Sequence, residues 1–196
     1  MPRPRSVSEE VALERALLLF WERGYDRTSI ADLSAAIGVG PSSIYNAFGS
    51  KEAIFRKALD VYMGSHAGFA GGIFEAGAER SAGESIGALL RGATTLYTTK
   101  GLPNGCAMFQ AGGAGSPVDS AANAITLKLK QGLELSIRDL LESRVKAGDE
   151  LAGTPRMLSK FIVATMRGLS QLASDGATRQ ELMQVADHAA KGCVSG

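Results

Sequence analysis

The chain is poor in the residues from which metal centres, disulfide frameworks and acid–base catalysts are made. Its 196 residues include two cysteines, Cys106 and Cys193, and two histidines, His66 and His188. Two cysteines make no disulfide framework and suit a reducing compartment. They form no close cluster with the histidines, so no metal site is expected. The histidines lie far apart, with no nucleophile–base pair or phosphate-binding loop beside them, and neither an enzyme nor a cofactor is expected. No apolar run reaches the roughly 18 residues of a membrane-spanning helix. The start, Met1-Pro-Arg-Pro-Arg5, leads into a charged amphipathic helix rather than the apolar core of a signal peptide, so the expected location is cytoplasmic. Strand-like alternation and internal repeats are missing as well. So is an excess of charge: the formal net charge is +1, and residues 1–60 carry eight Lys/Arg against eight Asp/Glu. That balance argues against non-specific coating of nucleic acid, since bulk attraction to phosphates is absent.

What the sequence does contain is helix punctuation. In the segment 28–51, Thr28 and Ser29 are good N-caps ahead of apolar Ile30, Leu33 and Ile37 at helical spacing. Gly38 follows the last periodic residue, where a left-handed exit is needed. Pro41 suits the first turn of a second helix, because its missing N–H has no intrahelical partner there anyway. Ile44 and Phe48 give that helix an apolar stripe, while Ser42, Ser43, Tyr45 and Asn46 present small or hydrogen-bonding groups. Ser50 caps a third helix, and Lys51 in its first turn opposes the macrodipole by a few tenths of a kcal/mol. Two short helices about a glycine turn form a helix-turn-helix, whose second helix enters the DNA major groove. A phosphate beside Lys51 would account for its position.

Gly24-Tyr25, Thr28-Ser-Ile30, Asp32-Leu33, Gly38-Val39 and Ser43-Ile-Tyr-Asn-Ala-Phe-Gly-Ser-Lys-Glu-Ala-Ile-Phe55 resemble the N-terminal domain of TetR/AcrR-family transcriptional regulators, over roughly residues 8–60. Gly105-Cys106 is similar to the start of a middle helix in one subgroup. Ser34 stands where Ala is usual, and Gly40 where a polar cap is usual. The resemblance implies an all-α protein of about nine helices. A three-helix DNA-binding domain would occupy residues 1–50, followed by a connecting helix from 51 within a ligand-binding and dimerisation domain, 51–196. It also implies a homodimer that binds double-stranded operator DNA and represses transcription until a small molecule binds. Ser42 and Asn46 then face base edges, with Pro41 in apolar contact. Thr28, Ser29, Ser43, Tyr45 and Lys51 hold phosphates. Apart from the resemblance, the charge balance leaves affinity to local placement, and Arg3 and Arg5 in the Pro-Arg-Pro-Arg start are expected to track a DNA groove or backbone.

Further along, Ser6-Val-Ser-Glu9, Ser81-Ala-Gly-Glu84 and Thr178-Arg-Gln-Glu181 are capping-box patterns that open helices. Leu13, Leu17, Phe20 and Trp21 face inward from the first helix. Phe55, Leu59 and Tyr62 do so from the fourth. Thirteen of the 24 glycines fall between Gly64 and Gly115, so helices there should be short or bent. Gly101-Leu-Pro-Asn-Gly105 is a break, with a short helix expected from Cys106. Leu133, Ile137, Leu140 and Leu141 line one face of a helix ending near Gly148, and Thr154-Pro155 opens another. The expected effector site comprises His66, Phe69, Leu90, Thr94, Tyr97, Met108, Phe109, Phe161 and Thr165; ordinary core is the alternative for each. The expected dimer face is a four-helix bundle of residues 154–174 and 178–192, through Phe161, Met166, Leu169, Leu172, Leu182, Val185, Ala186 and Ala189. Cys106, at a helix N-terminus that favours a thiolate, is the alternative control point as a sensor of oxidants, electrophiles or a metal. A helical interaction module or an enzyme without DNA binding is the alternative of another class. Effector, operator and regulated genes are not legible in the residues.

Overall fold

The computed structural model describes residues 7–76, 79–111 and 121–194, and these fold into ten α-helices with one turn of π-helix. The first four are α1 (Glu9–Arg23), α2 (Ile30–Ile37), α3 (Pro41–Phe48) and α4 (Lys51–Val61), which runs directly into the π-turn Tyr62–His66. Then come α5 (Phe69–Glu75), α6 (Ala82–Tyr97), α7 (Ala107–Gln110), α8 (Ala121–Lys146), α9 (Pro155–Ser174) and α10 (Arg179–Lys191). No strand occurs among the described residues; the only β-type pairing there is an isolated bridge between Leu151 and Val194.

Local chemistry sets most of the helix ends. Ser81 with Glu84 and Thr178 with Glu181 form complete capping boxes, and Thr154 caps Met157 N–H ahead of Pro155. A further capping box, Ser29 with Asp32, opens α2. At the start of α1 the expectation is corrected: Ser8, not Ser6, caps the helix by accepting from Val11 N–H. Ser6 lies outside the described residues, as do Arg3 and Arg5. The glycine-rich stretch yields two short pieces, seven residues in α5 and four in α7, but also the sixteen-residue α6, which runs unbroken through Gly83, Gly87 and Gly92 and corrects the expectation there.

The core begins where α1 meets α4. Phe20 sets its ring edge-on to Phe55 at 5.1 Å, and Trp21 does the same to Tyr62 at 5.1 Å. Leu13, Leu17, Phe20 and Trp21 are all buried there, as are Phe55, Leu59 and Tyr62. From this seam the apolar interior continues through α6, α8, α9 and α10. Ile137, Leu140 and Leu141 of α8 are buried, and α6 lies against both α9 and α10. One carboxylate fastens the far end. Asp149 accepts from Arg144 at 3.0 and 3.1 Å and from Ala82 N–H at 2.6 Å, tying the end of α8 to the start of α6. The Arg144 guanidinium, then the Ala82 N–H, hold the Asp149 carboxyl below its ordinary pKa.

Candidate nucleic-acid interface

The turn between α2 and α3 is held from three sides. Gly38 takes φ +84°, a left-handed exit that only glycine adopts cheaply. Ser34 donates its hydroxyl to the Val39 carbonyl across the turn. Arg15 reaches from α1 to donate to the Ile37 carbonyl at 2.7 Å, covering an acceptor that the end of α2 leaves open. The serine that departs from the family pattern thus serves the turn. Neither it nor the Arg15 bond is visible in local spacing, since the arginine lies 22 residues away.

With the turn fixed, α3 projects outward. Ile44 is its single buried side chain and pins it to the core. Pro41, Ser42, Ser43, Tyr45, Asn46 and Ala47 are all exposed, Tyr45 to 53%. Among the described residues, the polar ends of Ser42, Ser43, Tyr45 and Asn46 have no intramolecular partner. Gly40 sits at the N-cap with no side-chain bond, so Pro41 opens the helix.

Three expected phosphate ligands are engaged otherwise. Thr28 is buried, at 1% exposure, and donates its hydroxyl to the Gly24 carbonyl at 2.8 Å. Ser29 spends its hydroxyl on Asp32, whose carboxyl it holds below the ordinary range. Lys51 donates to the carbonyls of Tyr25 and Thr28, both at 3.0 Å, with its ammonium 4.1 Å from the centre of the Tyr25 ring. These two bonds to carbonyls of the α1–α2 turn give Lys51 an internal role at the position that opposes the macrodipole.

Among the described residues, three of the expected effector residues share one small space and the others lie apart from it. A small interior void of about 30 Å³ is lined by Phe69, Tyr97 and Met108, together with Tyr62, Cys106 and Met166. Such a space holds about one water. Leu90 and Thr94 are fully buried elsewhere along α6, and the Thr94 hydroxyl has no partner among the described residues. His66 instead sits 2.9 Å from the Glu14 carboxylate on α1. Phe109 is partly buried against the core, Thr165 is half-buried, and Phe161 is 44% exposed on the outer face of α9. Phe161 is therefore corrected from lining residue to surface residue.

Cys106 is fully buried, accepting from the Tyr62 hydroxyl at 3.1 Å, and burial pushes its thiol pKa up despite that bond. The expectation of a favoured thiolate fails because desolvation outweighs a four-residue helix. The dimer residues also divide. Met166, Leu169, Leu182, Ala186 and Ala189 are buried within the single chain, whereas Phe161, Leu172 and Val185 are exposed. On α9 the exposed positions Met157, Phe161, Ala164, Gly168 and Leu172 follow the spacing of one helical face, apolar or small throughout. Among the described residues, no group of three or more Cys, His, Asp or Glu can hold a metal ion, and no helix is long and apolar enough to cross a membrane.

Residues 12–58 match the family described as bacterial regulatory proteins, tetR family. The chain is 32% identical over 187 residues to the HTH-type transcriptional repressor ComR of Escherichia coli, covering 94% of this chain and 88% of ComR. It is 29% identical over 184 residues to the repressor BdcR of the same organism, with the same coverage of each chain. A cysteine-substituted form of the TetR-family regulator CifR, solved with a 26-bp double-stranded operator, superimposes with a TM-score of 0.88 at 33% identity. It covers 96% of this chain and 98% of CifR.

Proposed function

Because the chain belongs to the TetR family, as a DNA-binding transcriptional regulator and not an enzyme, we propose that it represses genes from a pseudo-palindromic operator read by two copies of α3. The observation that carries this is the state of α3, whose polar side chains stand exposed and unpartnered on a helix fixed by one buried isoleucine. Groups held that way meet DNA without first breaking internal bonds. Ser42 and Asn46 face base edges, with Pro41 beside them, and Ser43 and Tyr45 hold phosphates. The Asn46 amide matches the N6/N7 edge of adenine. Lys51, Thr28 and Ser29 serve mainly by fixing the turn that delivers α3.

The functional unit is a homodimer through α9 and α10. The face Met157, Phe161, Ala164, Gly168 and Leu172, with Val185 beside it, supports this, because an apolar stripe of that length is poorly suited to water. Two-fold symmetry sets the recognition helices about 34–36 Å apart, in successive major grooves. Operator binding takes place on the chromosome, which in a bacterium makes the protein cytoplasmic. Release follows when a small molecule prefers a conformer with mis-spaced helices. The segment 1–50 then acts as the reading unit and 51–196 as the sensing and dimerising unit. An effector in the interior must enlarge the void beside Phe69, Tyr97 and Met108. Control through Cys106 is less well supported, since the thiol is buried and its ionisation disfavoured.

A gel shift on the DNA upstream of the protein's own gene tests the central claim: a saturable shift that survives random competitor DNA is expected, and its absence overturns it. Asn46→Ala should lose roughly 1–3 kcal/mol on the specific site and little on random DNA. Tyr45→Phe should weaken both about equally. Equal losses on both DNAs for Asn46→Ala would remove that residue from base reading.

A further inference from the structure

A cleft of about 390 Å³ opens between the end of α1 and the end of α9, sharing no lining residue with α3 or with the interior void. Its size is that of a small-molecule site. From one side it is walled by Trp21, Glu22 and Arg27, and from the other by Asn104, Gln171 and Ser174.

The chemistry of those walls is specific. The Arg27 Nε donates to the Arg23 carbonyl at 2.7 Å, which fixes the guanidinium, while its terminal nitrogens have no partner among the described residues. Glu22 likewise takes part in no ion pair there. Gln171 donates its amide N–H to Asp175 at 2.9 Å, which leaves its amide oxygen as an acceptor. The Trp21 side chain is buried, and its indole N–H has no acceptor among the described residues. A buried donor in that state is costly. The far wall is stiff. Ser174 is held by Gln110 and by the Ser170 and Asn104 carbonyls, and Gly105 takes φ +90° at a point where any Cβ would lie 2.8 Å from the Ser170 carbonyl.

We propose that this cleft binds a small zwitterion of the amino-acid type, its carboxylate on Arg27 and its ammonium on Glu22. Both signs of charge on one wall select against single ions: Glu22 repels a simple anion or phosphate, and Arg27 repels a simple cation. The bound molecule joins the helix that precedes the reading motif to the end of α9. It reinforces the direct ties across the same junction, Tyr25 N–H to the Ala111 carbonyl and Cys106 N–H to Ser170 Oγ, both 2.9 Å. The zwitterion thereby steadies the orientation of the motif on the rest of the chain; only this consequence for operator affinity rests on the DNA-binding function above.

Trp21 is the only tryptophan, so its fluorescence reports on the cleft without a label. The full chain is titrated, without DNA, with glycine, L-serine, L-glutamine and 4-aminobutyrate, and with acetate and methylammonium as the two single-charge halves. The expected result is a saturable change for at least one zwitterion, with both halves weaker by roughly tenfold or more. Arg27→Gln and Glu22→Gln should each weaken that zwitterion by roughly tenfold or more, and Glu22→Gln, which removes no ion pair among the described residues, should leave the melting midpoint of the free protein in place. No saturable change with any zwitterion up to about 10 mM, or unchanged affinity in both variants, overturns the proposal. Since the titration contains no DNA, a protein that binds a zwitterion but shifts no operator fails only as a repressor. One that shifts operator but binds no zwitterion fails only here.

Discussion

The reading helix and the interior beneath α6, α7 and α9 are built on opposite terms. In α3 one side chain of eight is buried, and four polar ends face solvent with no internal partner. Around Tyr62, Tyr97, Cys106 and Met108 almost everything is buried, and the free space amounts to about 30 Å³. The proposed DNA surface is therefore ready as it stands, while among the described residues the space beside Phe69, Tyr97 and Met108 takes in an effector only if side chains or helices move. For the proposed interior effector, part of the ligand's binding energy would be consumed by opening that packed region. A ligand in the polar cleft at the junction avoids the cost, since that space already exists.

The largest expected effect comes from opening the interior deliberately. Met166 lines the small void, and Met166→Ala should destabilise the fold by about 2–5 kcal/mol through lost contacts and an enlarged cavity. Thermal melting gives the loss, and titration with benzene tests the cavity, since an apolar void of sufficient size stays dry and accepts such a probe. Benzene binding by the variant and not by the parent confirms that the parent interior is closed. Equal binding by both breaks the comparison, because a pocket is then accessible without rearrangement.

Cys106 sharpens the same contrast chemically. Its thiol pKa is raised by burial, so at a given pH less of it is thiolate than in the unfolded chain. The sign follows for stability: the preference for the neutral thiol favours folding below the unfolded-state pKa and fades as pH rises through the folded-state value. In a Cys193→Ser background, alkylation at neutral pH should run at least roughly tenfold slower in the native protein than in denaturant. Native labelling as fast as in denaturant would show that the interior opens freely and would restore Cys106 as a sensor.

How far residue order revealed these two regions depended on the reach of the interactions. Caps at Ser81, Thr154 and Thr178 act over three residues, and each appears where local spacing puts it. Ile44 as the anchor of α3 was legible for the same reason. Lys51 was not, because its partners, the carbonyls of Tyr25 and Thr28, lie 26 and 23 residues back. The α9 stripe also misled. Its apolar residues circle more of the helix than one contact can cover, so spacing alone could not separate inward Met166 and Leu169 from outward Phe161 and Leu172. Trp21 was expected to face the core, and it does, but its unpartnered N–H and its place in a polar cleft emerge only when Asn104 and Gln171 arrive from elsewhere in the chain.

The next effect in size concerns how α3 is delivered. Lys51→Met keeps the length of the side chain and removes the donor, leaving two partly buried carbonyls without it. A loss of about 1.5–3 kcal/mol in the stability of the DNA-free protein is expected, as for other hydrogen bonds from a charged group. If Lys51 is chiefly a phosphate ligand, the outcome differs in kind. Free-protein melting then stays in place, operator affinity falls, and the dependence of log affinity on log salt becomes shallower by about one contact.

The smallest effect lies in the turn itself. Ser34→Ala restores the residue usual in the family and removes the bond to the Val39 carbonyl, at an expected cost of about 0.5–1.5 kcal/mol. The Arg15 bond to Ile37 and the left-handed Gly38 remain, so the turn should hold its shape and operator affinity should change less than stability does. Melting and gel shifts on the same preparation give both quantities. A loss of operator affinity larger than the loss of stability would mean that the turn is not rigid without Ser34. The readiness of α3 would then depend on a single hydroxyl, and the contrast with the closed interior would be one of degree.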